Sequence, residues 1–247
     1  MAGAALGLAW TAGFVDAVGY MVILGVYSSH MTGNTAALGR HLRIADWRFA
    51  WKHGWPILTF VLGLIVSASI TEWGRRHRLH SRMSVVFGIE IVLLLTLVFT
   101  LPAVPVSIAW LGLPAFAMGM QTVTITKVGT QRVYSTYMTG NLAKFAEALT
   151  GYFFWLADAA RPAEAPGGRR RRWLGAAVRH RLLGHALLNV GLWALFLAGA
   201  FSGAAAVLVW QIHALWGPVV ALAGLTFVDL LRPIAAVGNS EPPGFES

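Results

Sequence analysis

The chain has 247 residues, 57% of them hydrophobic and 12% charged, and a mean hydropathy of +0.63. Soluble domains carry about a quarter charged residues, so this composition excludes them and marks an integral membrane protein with room for about six spans of roughly 20 residues each. The net charge of +9 sits mostly in loops between apolar segments, where topology and lipid account for it before nucleic acid does, and the absence of cysteine rules out disulfides, thiol nucleophiles and thiolate metal sites.

The start, Met1 to Leu6, has no basic n-region and runs straight into the first apolar segment, so it reads as a retained N-terminus. That first span covers about residues 4–24 and holds one carboxylate, Asp16. After it comes Val26-Tyr27-Ser28-Ser29-His30-Met31-Thr32-Gly33-Asn34. Residues 31–44 then look helical but are short and basic, through Arg40 and Arg43, which suggests a half-helix or re-entrant segment. A second span follows over residues 54–73, with Pro56 placed in its first turn, and closes on a loop carrying Arg75, Arg76, Arg78 and Arg82. The third span, residues 84–101, again carries a single carboxylate, Glu90. Pro102 and Pro105 make a tight return into a fourth span, residues 106–126, whose end is polar from Gly119 and Gln121 to Lys127.

A second copy of the nine-residue stretch follows: Val133-Tyr134-Ser135-Thr136-Tyr137-Met138-Thr139-Gly140-Asn141. It leads into a helix over residues 138–159 with Lys144 and Glu147 on one face, read first as an intrahelical pair on a solvated surface. Residues 162–172 form a basic loop, the one candidate linker. The fifth span, residues 182–201, carries His185 and Asn189; the sixth, residues 204–231, carries Gln211, His213 and Pro218. The tail from residue 233 reads as disordered. The expected architecture is therefore all-α integral membrane: six transmembrane helices and two short motif half-helices in two homologous, inverted repeats, residues 1–105 and 106–232.

Six spans place fifteen of the nineteen Lys and Arg residues on the side that holds both termini, which assigns the termini to the cytoplasm. Eight spans would leave the termini on that side but would make the halves parallel instead of inverted. The repeated turns are the chemical focus. Seven of their nine residues match at a constant offset. Thr and Asn there are expected to cap the following helix, with Gly bending the chain before it, leaving a helix start able to hold a polar or anionic group. The candidate substrate-binding set is Thr32, Gly33, Asn34, Thr139, Gly140 and Asn141, with Asp16 and Glu90 as proton- or cation-linked carboxylates and Gln121 and Lys144 beside them.

Blander readings stand next to these. Asp16 and Glu90 can be structural, the turns can be simple caps, and His185 and His213 read better as interhelical hydrogen-bond partners than as ligands. His77 and His80 lie in a basic loop that would repel a metal cation, and the eleven tryptophans read as interfacial anchors. Neither a metal site nor a cofactor is expected. No Gly-x-Ser-x-Gly, His-Glu-x-x-His or Gly-Lys-Ser/Thr signature occurs, so enzymatic activity is not expected; Ser28 or Ser29 beside His30 would be the sole nucleophile candidates.

The stretches Ala12 to Ala17, His30 to Asn34, Met118 to Gln121 and Tyr137 to Asn141, with Glu90, resemble the YoaK-like bacterial membrane proteins, also catalogued as the domain of unknown function 1275. Thr122 departs from that pattern, which usually has Asn after the Gln. The resemblance implies a polytopic inner-membrane protein of a bacterium and brings no substrate with it. The leading expectation is a small-molecule permease, coupled to protons if its carboxylates exchange them; the alternative is a non-transporting subunit that binds a partner or organises lipid. Expected partners are membrane lipid and an unidentified small molecule, and nucleic acid is not expected. Oligomeric state is not legible.

Overall fold

The computed structural model describes residues 1–124, 127–128, 131–132, 134–160 and 177–234. Helices dominate: α1 (Ala2–Val22), α2 (Met31–Arg43), α3 (Trp47–Arg76), α4 (Arg82–Thr100), α5 (Gly112–Thr122), α6 (Met138–Ala160), α7 (Arg181–Trp210) and α8 (Trp216–Leu231). Three short 3₁₀ turns and one antiparallel pairing of Lys127–Val128 with Gln131–Arg132 complete the described elements. Among the described residues, four stretches are long and apolar enough to cross a membrane: α1, α3, residues 82–103, and residues 181–231 containing α7 and α8.

Several boundaries differ from the sequence reading, each for a local reason. Helix α3 begins well before residue 54 because the Asp46 side chain accepts a hydrogen bond from Phe49 N at 3.3 Å and starts the helix there. Pro56 consequently lies inside α3 and not in its first turn. The fourth span is short: a 3₁₀ turn at Ile108–Leu111 feeds the 11-residue α5, with Pro114 in its first turn. The expected break near residue 202 is absent, and α7 continues to Trp210. The chain breaks instead at Gln211, whose φ is 50°, and a 3₁₀ turn carries it to α8. The basic loop 162–172, residues 125–126, Val133 and the tail from residue 235 lie outside the described residues.

Glycine sets how the helices meet. A Cβ at Gly13 would lie 2.0 Å from the Phe196 carbonyl oxygen, and one at Gly199 would lie 2.0 Å from that of Trp10. The pair α3 and α5 repeats the arrangement: a Cβ at Gly63 would lie 2.2 Å from the Phe116 carbonyl oxygen, and one at Gly119 would lie 2.1 Å from that of Phe60. Only a missing side chain permits backbones to approach so closely, the usual basis of tight packing between helices in lipid. Each of these glycines follows an aromatic residue by three: Trp10, Phe60, Phe116 and Phe196.

Helix directions follow from these contacts. Leu6 meets Gly191, Trp10 meets Gly199 and Phe14 meets Gly203, so α1 and α7 run parallel. Trp55 meets Gly112 and Phe60 meets Gly119, so α3 and α5 also run parallel. By contrast α4 and α8 are antiparallel, with Ser84 bonded to Asp229 at one end and Phe99 against Trp216 at the other. Helix α8 also opposes α1, through Gly7 to Leu225 and Gly217 to Phe14. Gly74, near the end of α3, lies against Arg82 at the start of α4 across the short loop 77–81, so the chain turns back there: α1, α4 and α7 point one way, and α3, α5 and α8 the other.

Side chains such as Leu8, Phe87, Leu94, Met118, Leu192 and Leu222 are fully buried between these helices. Large apolar groups on the outside are strongly exposed, including Phe201 at 77% and Leu208 at 75%. Asp16, Glu90, Gln121, Asn141 and Asn189 are meanwhile buried. An apolar exterior around an interior that holds the polar groups is the arrangement a bilayer requires.

Candidate functional site

Each repeated turn folds back onto the helix before it through a hydrogen-bonded clasp. In the first, Asp16 of α1 accepts from Ser28 N at 2.9 Å and Ser28 Oγ at 2.5 Å on Oδ1. Ser29 N donates to the same oxygen at 2.8 Å, and Ser29 Oγ donates to Oδ2 at 2.5 Å. Four donors converge on the two oxygens of one buried carboxyl group and fill its acceptor positions. In the second turn the clasp is neutral. Gln121 Nε2 of α5 donates to the Leu8 carbonyl at 2.6 Å and to Ser135 Oγ at 3.5 Å. Beside it, the Thr122 and Thr136 hydroxyls are 2.7 Å apart.

Asn34 and Asn141 do not cap the following helices as expected. Helix α2 has His30 at its N-cap with no side-chain bond to the first turn. The Asn34 amide instead donates backwards to the Tyr27 carbonyl at 3.0 Å, and Asn141 donates to that of Tyr134 at 3.1 Å. These side chains hold their own turns closed. Gly33 and Gly140 lie within α2 and α6 and do not form the bend. A Cβ on either would strike the ring of the residue three before it, 2.2 Å from His30 Cδ2 or 1.9 Å from Tyr137 Cε1. The positive φ values of the first turn are earlier, at Leu24 (57°) and Gly25 (63°).

A cavity of about 570 Å³ opens beside the first turn. Asp16, Tyr20, Tyr27 and His30 line it, with Phe196 and Ala204 from α7 opposite. Tyr20 and Tyr27 stack at 4.4 Å, so a carboxylate and two aromatic faces border one space, a combination that suits a cationic or amine-bearing group. Of the sequence-derived set, only Asp16 lines this cavity. Thr32 and Thr139 are exposed at the starts of α2 and α6, and Lys144 Nζ lies 5.7 Å from the centre of the Tyr134 ring. Glu90 is wholly buried in α4, and neither of its oxygens meets a partner among the described residues. His213 is exposed in the break between α7 and α8, not bonded between helices. Tyr20, whose one signal in the sequence was its place seven residues before Tyr27, escaped the sequence reading.

Among the described residues, no group of three or more His, Cys, Asp or Glu side chains could hold a metal ion. Residues 4–228 match the family described as "Protein of unknown function (DUF1275)". The UPF0700 transmembrane protein YoaK of Bacillus subtilis (strain 168) is 28% identical over 151 residues, covering 60% of this chain and 67% of that one. No solved structure matches.

Proposed function

The chain belongs to the DUF1275 family, and on that premise we propose that this multi-pass membrane protein is a secondary transporter of a small molecule in the bacterial inner membrane. It is built as two inverted three-span repeats with both termini cytoplasmic, and it has no enzymatic role. Lipid and the transported molecule are its partners.

One observation carries this reading: α1 and α5 point in opposite directions, and each ends in a turn clasped back onto it. Interrupted helices related by inversion are the recurring plan of secondary transporters, with substrate and coupling ion held near the interruptions. Gln121 reaches α1 at Leu8, whereas Asp16 lies eight residues further along, so the two clasps differ in depth by about 12 Å at 1.5 Å per residue. They are stacked along the transport direction and do not face each other across one chamber. Substrate enters at the Asp16 cavity, and Asp16 and Glu90 are the carboxylates available for coupling.

The test is a metabolite screen by thermal unfolding of the purified chain in detergent, followed by uptake into proteoliposomes. A ligand that raises Tm for the wild type, is taken up, and loses its effect in Asp16→Asn is the expected result. A second reading, a non-transporting subunit, is favoured by the use of the Asn34 and Asn141 amide nitrogens in closing their own turns. It prevails if no ligand stabilises the wild type.

A further inference from the structure

We propose that the second turn holds a sodium-like monovalent cation between the side-chain oxygens of Gln121, Asn141 and Asn189. This names the coupling ion of the transporter reading and rests on it only for that role; the binding itself stands apart.

All three side chains are fully buried, and each of their oxygens, Gln121 Oε1, Asn141 Oδ1 and Asn189 Oδ1, meets no partner among the described residues. Their orientation is not arbitrary. Every amide nitrogen donates to a backbone carbonyl: Gln121 to Leu8, Asn141 to Tyr134, and Asn189 to His185 at 2.8 Å. A carbonyl only accepts, so the nitrogen must face it, and the oxygen is left as the free end.

Gln121 and Asn141 are tied to adjacent residues of one turn, Ser135 and Tyr134. Asn189 is placed by correspondence with the first half. There, Asn34 Oδ1 lies 3.4 Å from Nδ1 of His53 on α3. Asn141 occupies the position of Asn34 in the repeated turn. Matching the glycine crossings, Phe60-x-x-Gly63 with Phe196-x-x-Gly199, sets His53 of α3 against Asn189 of α7. Helices α2 and α3 pack together as α6 and α7 do. Where His53 sets an imidazole nitrogen against the Asn34 oxygen, this correspondence sets the Asn189 amide oxygen against that of Asn141.

Brought together as the correspondence places them, three amide oxygens without donors repel one another unless something positive or donating sits between them. A water has two protons for three acceptors, and it would need further partners of its own. A hard monovalent cation satisfies all three oxygens together. The C-terminal end of α5, which carries Gln121, adds the partial negative charge of its free carbonyls. Neutral oxygen ligands at the end of an interrupted helix are the surroundings in which transporters hold sodium.

The test is thermal unfolding of the full chain in detergent in NaCl, KCl or choline chloride at fixed ionic strength. Sodium is expected to raise Tm saturably, by about 3 °C over choline at ten times its dissociation constant. Asn189→Ala is expected to abolish that response. Asn189→His recreates the Asn34–His53 pairing, so it is expected to fold and also to ignore sodium, while Asn34→Ala keeps the response. Equal Tm in all three salts overturns the site, as does a sodium response that survives Asn189→His. A metabolite that stabilises the chain without sodium would leave the transporter reading standing while the cation site fell.

Discussion

The two turns share seven of nine residues, yet they are fastened by different chemistry. The first is held by a carboxylate with four donors, the second by an amide and a pair of hydroxyls. Two stretches of nearly the same sequence can therefore share a backbone turn while the side chains that anchor them differ. Asn34 and Asn141 make the same backward bond in both turns, whereas a carboxyl group anchors the first and an amide the second. A carboxylate clasp next to a cavity and an amide clasp next to oxygens without donors make the two turns chemically unequal.

The largest expected effect comes from breaking both halves alike. Gly13→Leu and Gly119→Leu drive a side chain into a facing backbone carbonyl, which cannot rotate away. Each is expected to cost more than the roughly 1–3 kcal/mol of ordinary overpacking, read as loss of monodisperse protein on size exclusion. If Gly119→Leu is tolerated and Gly13→Leu is not, the two crossings are not equivalent.

Next come the clasps. Asp16→Ala strands the donors of Ser28 and Ser29, a cost of about 3 kcal/mol or more, seen as a fall in Tm of about 6–12 °C. Thr122→Val removes one hydroxyl pair from the neutral clasp and should cost about 1 kcal/mol by the same measurement. Equal losses would show that charge does not distinguish the two turns. The smallest effect is expected at Gly39, exposed in α2, where a Cβ meets nothing within 4 Å. Gly39→Ala should raise stability by up to about 1 kcal/mol, while Gly33→Ala, pressed against the His30 ring, should lower it.

Much of the site was hidden from the sequence for identifiable reasons. The constant offset that aligns the turns carries Asp16 to Val123, not to Gln121. Asp16 precedes its serine by 12 residues and Gln121 precedes its own by 14, so the clasps match in space and not in register. The gap expected between spans at residues 202–203 is not a break: Gly203 packs against Phe14 inside an unbroken α7. Asn189 drew notice only as a polar residue in an apolar run, because its significance lies in which end of the amide is left free.

Composition, segment length and the repeated motif alone place the chain in a membrane, make α2 too short to cross it, and set two like turns after α1 and α5. Those are local properties, carried by composition, segment length and residue identity. That α1 lies along α7 and α3 along α5, and which buried oxygens lack donors, emerged from the folded chain. In lipid both faces of a helix are apolar, so no periodicity marks the face that packs, and the choice falls to glycines whose fit depends on a backbone far away in the chain.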